Sequence, residues 1–100
     1  MILSEKEINL IKQFFLDKPV LRAYLFGSFS RSEADEKSDV DILVDLDYSK
    51  HIGLGFVRMK DQLEALLSKQ VDLVSSQALS EYISPFIDED KRLIYEKTDR

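Results

Sequence analysis

Residues 20–46 read VLRAYLFGSFSRSEADEKSDVDILVDL, and the organisation of the chain turns on them. Val20–Phe26 is an apolar run with one charge, Arg22. Its length and its valine and aromatic content predict a strand buried on both faces. Gly27-Ser28 stops it. Residues 29–38, FSRSEADEKS, are polar and long enough for a helical turn and a loop. Residues 39–46, DVDILVDL, alternate and are β-branched, which predicts a second strand. Side chains alternate along a strand, so Asp39 and Asp41 share a face, about 7 Å apart at the backbone. Val40, Ile42 and Val44 then point the other way, into a core.

Upstream, Ser4-Glu5-Lys6-Glu7 has the spacing of a capping box, in which serine and glutamate satisfy each other's helix-end donors. Ile8, Ile11 and Phe15 follow at helical spacing, with Leu10 and Phe14 widening the stripe. Pro19 disfavours helix at Lys18, so this helix should end near Asp17. Downstream, a loop around Tyr48–Gly55 leads into an amphipathic helix carrying Phe56, Met59, Leu63, Leu66 and Leu67 and ending near Ser68. Residues 70–74, QVDLV, predict a third short strand. Ser75-Ser76 can cap a further helix to about Asp88, with Leu79, Tyr82, Ile83 and Phe86 inward and a kink at Pro85. Leu93-Ile94-Tyr95 suits either a strand or a helix. Helices therefore alternate with strands, which predicts an α/β (α+β) fold: one small sheet with flanking helices.

The chain has 100 residues, 44% hydrophobic and 33% charged, with 3 Gly, 2 Pro and no Cys. That length suits a single domain over residues 1–100, with no room for a second core. The ordinary apolar content argues against disorder. Without cysteine there is no disulfide framework, thiolate metal site or thiol nucleophile. A net charge of −5 argues against a general nucleic-acid binder, which needs a basic face. No apolar run approaches the ~20 residues of a membrane span. The start MILSEKEINLIK lacks a signal-peptide layout. These features predict a cytoplasmic domain, bound to neither membrane nor nucleic acid.

Chemistry concentrates between Gly27 and Asp41. Glycine after a buried strand lets the backbone turn sharply and lets a ligand approach. Helix-start N–H groups beside the Ser28 hydroxyl form a phosphate site, and Arg31 can add charge to a polyphosphate. Asp39 and Asp41 can converge on a pair of metal ions, which in two-metal phosphoryl-transfer sites lie ~3.5–4 Å apart. A third carboxylate, Asp72, stands inside the apolar run QVDLV, where a lone charge is costly unless paired, liganded or at a sheet end. If that strand lies beside strand 39–46, Asp72 joins the pair. Each feature alone has an ordinary reading: a turn, a solvated strand edge, a surface arginine. Their conjunction, in order along elements able to bring them together, is what points to a site.

In these residues the chain resembles the minimal nucleotidyltransferase branch of the polymerase-β-like nucleotidyltransferase superfamily. Gly27-Ser28, ten residues, then Asp39-x-Asp41 matches the superfamily signature, and KQVDLVS resembles the branch's Val-Asp-Leu strand. The similarity spans about residues 20–76. Ser30 stands where the family often has Ala, and Ser32 where it often has Gly; neither is a metal-ligand position. The resemblance implies that Asp39 and Asp41 hold two Mg²⁺ ions, and that Asp72 holds the catalytic ion and helps activate the attacking hydroxyl. Gly27, Ser28 and Arg31 would grip the β- and γ-phosphates of ATP, with Ser38 supporting from behind the first aspartate.

The resemblance also implies an antitoxin whose partner is a helical HEPN-type ribonuclease toxin, with AMP passing from ATP to a toxin tyrosine. The toxin's own Arg-x4-His-x-Tyr type of signature is absent, because the single histidine, His51, is followed by Ile-Gly. His51 is expected to be solvent-exposed. Asp45 and Asp47 read as a strand end entering a loop, DEDKR at 88–92 as solvated, and the apolar segment Phe86–Tyr95 as part of a partner interface. Two alternatives differ in class. One is a non-catalytic module that neutralises its toxin by association. The other is a transferase with a small-molecule acceptor, whose relatives usually carry an additional helical domain.

Overall fold

Ser4 starts the first helix, α1 (Glu5–Phe15), through both bonds of a capping box. The Glu7 N–H donates to Ser4 Oγ at 3.1 Å and the Ser4 N–H to Glu7 Oε1 at 2.9 Å. A computed structural model describes residues 3–27, 35, 38–78 and 89–97 of the chain. In it α1 stops two residues earlier than expected, because the Lys18 N–H turns back to the Phe15 carbonyl at 3.1 Å ahead of Pro19. Ile11 and Phe15 are the helix residues that become fully buried.

Three further elements follow the predicted order. They are β1 (Val20–Phe26), β2 (Val40–Leu46) and, after α2 (Gly55–Leu67), β3 (Val71–Ser75). A short 3₁₀ turn occupies Ser76–Ala78. The undecided segment around Leu93 is a strand, β4 (Arg92–Glu96); Arg92, from the stretch expected to be solvated, opens it and is exposed. The helix predicted to Asp88 begins only as the 3₁₀ turn; residues 79–88, with Pro85, lie outside the described residues.

The sheet order is β3-β2-β1-β4. β2 and β3 run parallel, and β1 pairs antiparallel with both β2 and β4. Parallel neighbours require a crossover, which α2 supplies. This mixed four-stranded sheet with helices is the predicted α/β (α+β) architecture.

Register sorts the side chains into two faces. Ala23 and Leu25 of β1 align with Val44 and Ile42 of β2, and Ile42 with Leu73 of β3. These form one core with Ile11 and Phe15 of α1 and Met59, Leu63 and Leu67 of α2. Val40, Ile42 and Val44 are fully buried, as the alternation predicted. β1 is not buried on both faces. Its opposite face carries Arg22, exposed, and Tyr24 and Phe26, half-buried. Arg22 donates to Asp45 Oδ2 at 3.0 Å and lies 3.8 Å from Glu96, so a charged row crosses three strands there. Leu43 shares that face and is nonetheless only 2% exposed.

Asp45 is the penultimate residue of β2 and is ion-paired with Arg22, and Asp47 lies just past the strand, as a strand end entering a loop requires. One expectation needs correction. In the described part of the expected interface, Ile94 and Tyr95 are not free surface: both belong to the core, and Tyr95 packs against Phe15 with ring centroids 5.7 Å apart. Leu93 alone of these three is exposed.

The end of α2 carries a strained residue. Ser68 adopts φ 55°, ψ 37°, the left-handed conformation that closes a helix, while its N–H donates to the Glu64 carbonyl at 2.9 Å. A side chain there costs about 1–2 kcal/mol that glycine avoids, partly offset by the greater chain entropy glycine loses. Ser68→Gly is therefore expected to stabilise the domain by about 0.5–1 kcal/mol, read as a melting-point rise of roughly 2–8 °C. An unchanged or lower melting point would contradict this account of the cap.

Candidate active site

The face of the sheet away from α1 and α2 carries the acidic residues. Asp41 is the second residue of β2 and Asp72 the second of β3. The parallel register sets them opposite each other. On the other side of Asp41 the antiparallel register sets Phe26 of β1. Asp72, Asp41 and Phe26 thus form one row across three strands, with neighbouring strands about 4.8 Å apart. Asp41 is half-buried and Asp72 exposed. Solvation and the sheet end, not burial, make the charge in QVDLV tolerable.

Gly27 closes β1 beside this row. Its φ of +74° lies in the left-handed region that side chains avoid. A Cβ at this position would also collide with the Asp41 carboxylate, meeting Oδ2 first and Cγ at 3.1 Å. The bare Cα of Gly27 is therefore one wall of the space the Asp41 carboxylate occupies. Two independent constraints select glycine here, and both act next to the acidic row.

Asp39 is exposed and stands one residue ahead of β2. Ser38 and Asp35 form a closed turn that leads into it. The Asp35 N–H donates to Ser38 Oγ at 3.0 Å, Ser38 Oγ donates to Asp35 Oδ1 at 3.3 Å, and the Ser38 N–H donates to the Asp35 carbonyl at 3.1 Å. Ser38 thus shapes the approach to the first aspartate. Asp35, its partner, was not singled out in the sequence. A serine three residues after an aspartate ahead of a strand is the signal that marks such a turn. Ser28 and Arg31, predicted to bind phosphate, lie outside the described residues.

Other acidic groups are committed elsewhere. Asp45 is paired with Arg22. Asp47 accepts from the Ser49 hydroxyl at 2.5 Å, which holds its carboxyl below the usual aspartate range. His51 is exposed, as expected, in the loop before α2. The groove of about 380 Å³ lined by Lys12 and Gln13 of α1, Leu16 just after it, and Leu93–Glu96 of β4 is at the sheet edge farthest from β3.

Among the described residues no three acidic or histidine side chains converge closely enough to hold a metal ion by themselves. A Mg²⁺ ion needs less from a protein: one or two carboxylates, with substrate phosphates and water completing its shell. Asp41 and Asp72, hard oxygen donors aligned on neighbouring strands, fit that requirement.

The family model described as polymerase beta, nucleotidyltransferase, matches residues 9–100. A candidate protein adenylyltransferase of Methanocaldococcus jannaschii is 41% identical over 76 residues, covering 72% of this chain and 81% of the relative. The protein adenylyltransferase MntA of Thermococcus cleftensis is 47% identical over 60 residues, covering 60% of each. Among solved structures, a toxin–antitoxin complex with AMP-PNP superposes with a TM-score of 0.77 at 22% identity, covering 91% of this chain and 74% of the other. A tri-AMPylated Shewanella oneidensis HEPN toxin in complex with an MNT antitoxin superposes with a TM-score of 0.72 at 21% identity, covering 95% and 74%. At these identities the likeness to the two complexes is one of fold.

Proposed function

The chain belongs to the polymerase beta nucleotidyltransferase family, and from that premise we propose that it transfers AMP from ATP to a tyrosine of a HEPN-type ribonuclease toxin, as the antitoxin of the pair. The observation that carries this reading is the register of Asp41 opposite Asp72, with the bare Cα of Gly27 against the Asp41 carboxylate. The names of the relatives and of the structural neighbours support a protein acceptor.

Asp41 and Asp72, with Asp39 ahead of them, are the residues that would hold Mg²⁺ carried with ATP. Bound there, the ions would neutralise charge on the phosphates and favour the leaving pyrophosphate. The chain's own groups do the rest. The bare Cα of Gly27 leaves room for the Asp41 carboxylate, and Gly27, Ser28 and Arg31 would grip the β- and γ-phosphates. Asp72, at the exposed end of the row, lies where an incoming phenol can hydrogen-bond to it. The new bond joins the phenol oxygen to the α-phosphorus, the bond to pyrophosphate breaks, and the phenol proton passes to the carboxylate or to water. The exposure of Asp72 lets the acceptor arrive as part of a folded partner. An AMP group adds bulk and negative charge, so on a ribonuclease it would obstruct RNA by sterics and repulsion. No helix among the described residues is long and apolar enough to cross a membrane. That is compatible with the proposed cytoplasmic site of action.

The test is a mixing experiment with the product of the adjacent gene. Supply Mg²⁺ and α-labelled ATP, then read intact masses of both chains and the modified residue. An AMP-sized increment on a partner tyrosine, dependent on Mg²⁺, is the expected result. A stable complex without a mass change would replace this reading with neutralisation by association. Label appearing only with small hydroxylated acceptors would move the activity to that class.

A further inference from the structure

We propose that Glu64, on the last turn of α2, is a positioning residue that clamps the start of β3 and so sets the Asp72 carboxylate against Asp41. The inference rests on the transfer reading above.

β3 is an edge strand of the described sheet, five residues long. Strand ends fray, and Asp72 is only the second residue from the end. Its first residue, Val71, aligns with Val40, and the Val40 N–H donates to the Gln70 carbonyl at 2.8 Å. In a parallel ladder alternate residues face the neighbour. Gln70 and Asp72 therefore bond towards β2, and the Val71 N–H turns outward, where an edge strand has no backbone partner. Glu64 fills that place: the Val71 N–H donates to Glu64 Oε2 at 2.9 Å. The same oxygen lies 3.3 Å from Lys60 Nζ, one helical turn earlier. The outward side of β3 is thus held at the residue adjacent to Asp72.

The placement of Glu64 runs against local preference. A negative charge near a helix C-terminus opposes the helix dipole. The Val71 N–H and then Lys60 outweigh this, holding the carboxyl below the usual glutamate range, so it is ionised and accepting at neutral pH. A second tie restrains the same turn. Lys69 Nζ donates to Glu7 Oε2 at 2.6 Å, joining the residue before Gln70 to the start of α1. Burial of Glu7 by itself raises its pKa, but Lys69 and the Ser4 N–H outweigh that and leave it lowered. Lys69 restrains the turn as a whole. Among the described residues, Glu64 is the side chain that bonds the strand residue next to Asp72.

The experiment compares Glu64→Ala with Glu64→Gln in the full chain, using transfer kinetics with the protein partner and amide exchange by NMR. Gln keeps an oxygen that can accept from Val71, and Ala does not. In Glu64→Ala, kcat is expected to fall about 10- to 100-fold, with a smaller change in KM for ATP, as for other groups that orient a ligand. The Val71 and Asp72 amides should exchange faster, while Asp41 stays protected. Glu64→Gln should restore kcat to within a few-fold of native and restore protection. A melting point lowered in Glu64→Ala with native kcat on the folded enzyme would overturn the positioning role. Equal loss in both variants would also overturn it, because the charge rather than the hydrogen bond would then matter. If the native chain transfers no AMP, the functional reading falls. Exchange at Asp72 would still decide the clamp, since unchanged protection in Glu64→Ala refutes it.

Discussion

Asp41→Asn, alone or with Asp39→Asn, is expected to abolish AMP transfer while the chain folds and binds its partner as before. Asparagine keeps the shape of aspartate and removes the charge that a metal-borne triphosphate needs. Losing one such charge in phosphoryl transfer costs on the order of 1,000-fold or more in rate. Stability should change by less than about 1 kcal/mol, the range of substitutions outside the core. The reason is the register: Asp41 points away from the cluster in which Val40 and Ile42 are fully buried. Label transfer, melting temperature and co-purification with the partner read the three consequences separately. If the double variant still silences the toxin fully, neutralisation does not depend on catalysis, and the acidic row serves some other purpose.

Gly27→Ala is expected to be nearly as severe, by a different route. The backbone at +74° costs an alanine about 1–2 kcal/mol, which for a domain of this size lowers the melting point by roughly 4–16 °C. The added Cβ must also displace the Asp41 carboxylate, the group it would meet first. A carboxylate is the far end of a flexible side chain, so the fold survives and the site does not. A displacement on the order of 1 Å in a phosphoryl-transfer site can lower the rate about 100-fold. The diagnostic is the pairing of a moderate melting-point loss with a large loss of transfer at temperatures where the variant is fully folded. A folded Gly27→Ala variant with native kcat would show that Asp41 has room to move, and would weaken its assignment to the metal. Gly53, the other positive-φ glycine among the described residues, provides a contrast. A Cβ there meets the exposed His51 ring, in the loop before α2, so strain without loss of chemistry is the pattern expected at that position.

The elements that could be read from the chain were those with a local signal. Ser4 and Glu7 announce α1, and both capping bonds form. The alternation after Asp39 assigns Val40, Ile42 and Val44 to the core and Asp41 to the opposite face, and the burial agrees. β1 misled the pattern. An apolar run looks the same whether one face is covered or two, and Arg22 was its one clue: it lies on the open face between Asp45 and Glu96. Leu93-Ile94-Tyr95 was undecidable because three apolar residues fit either period. Pairing with β1 makes it a strand, and Phe15 gives Tyr95 its place in the core.

Local pattern in the chain settled the order of helices and strands as far as β3, which side of β2 is apolar, and that a glycine ends β1. Each of these follows from contacts a few residues apart, where helical or strand periodicity governs. Long-range packing places Asp72 opposite Asp41, sets the Asp41 carboxylate on the bare Cα of Gly27, and brings Glu64 to the Val71 N–H. Those contacts depend on strand register. Register is set by how the apolar faces of α1, α2 and the four strands bury one another, and a slip of a single residue would turn every side chain of β3 to the other face.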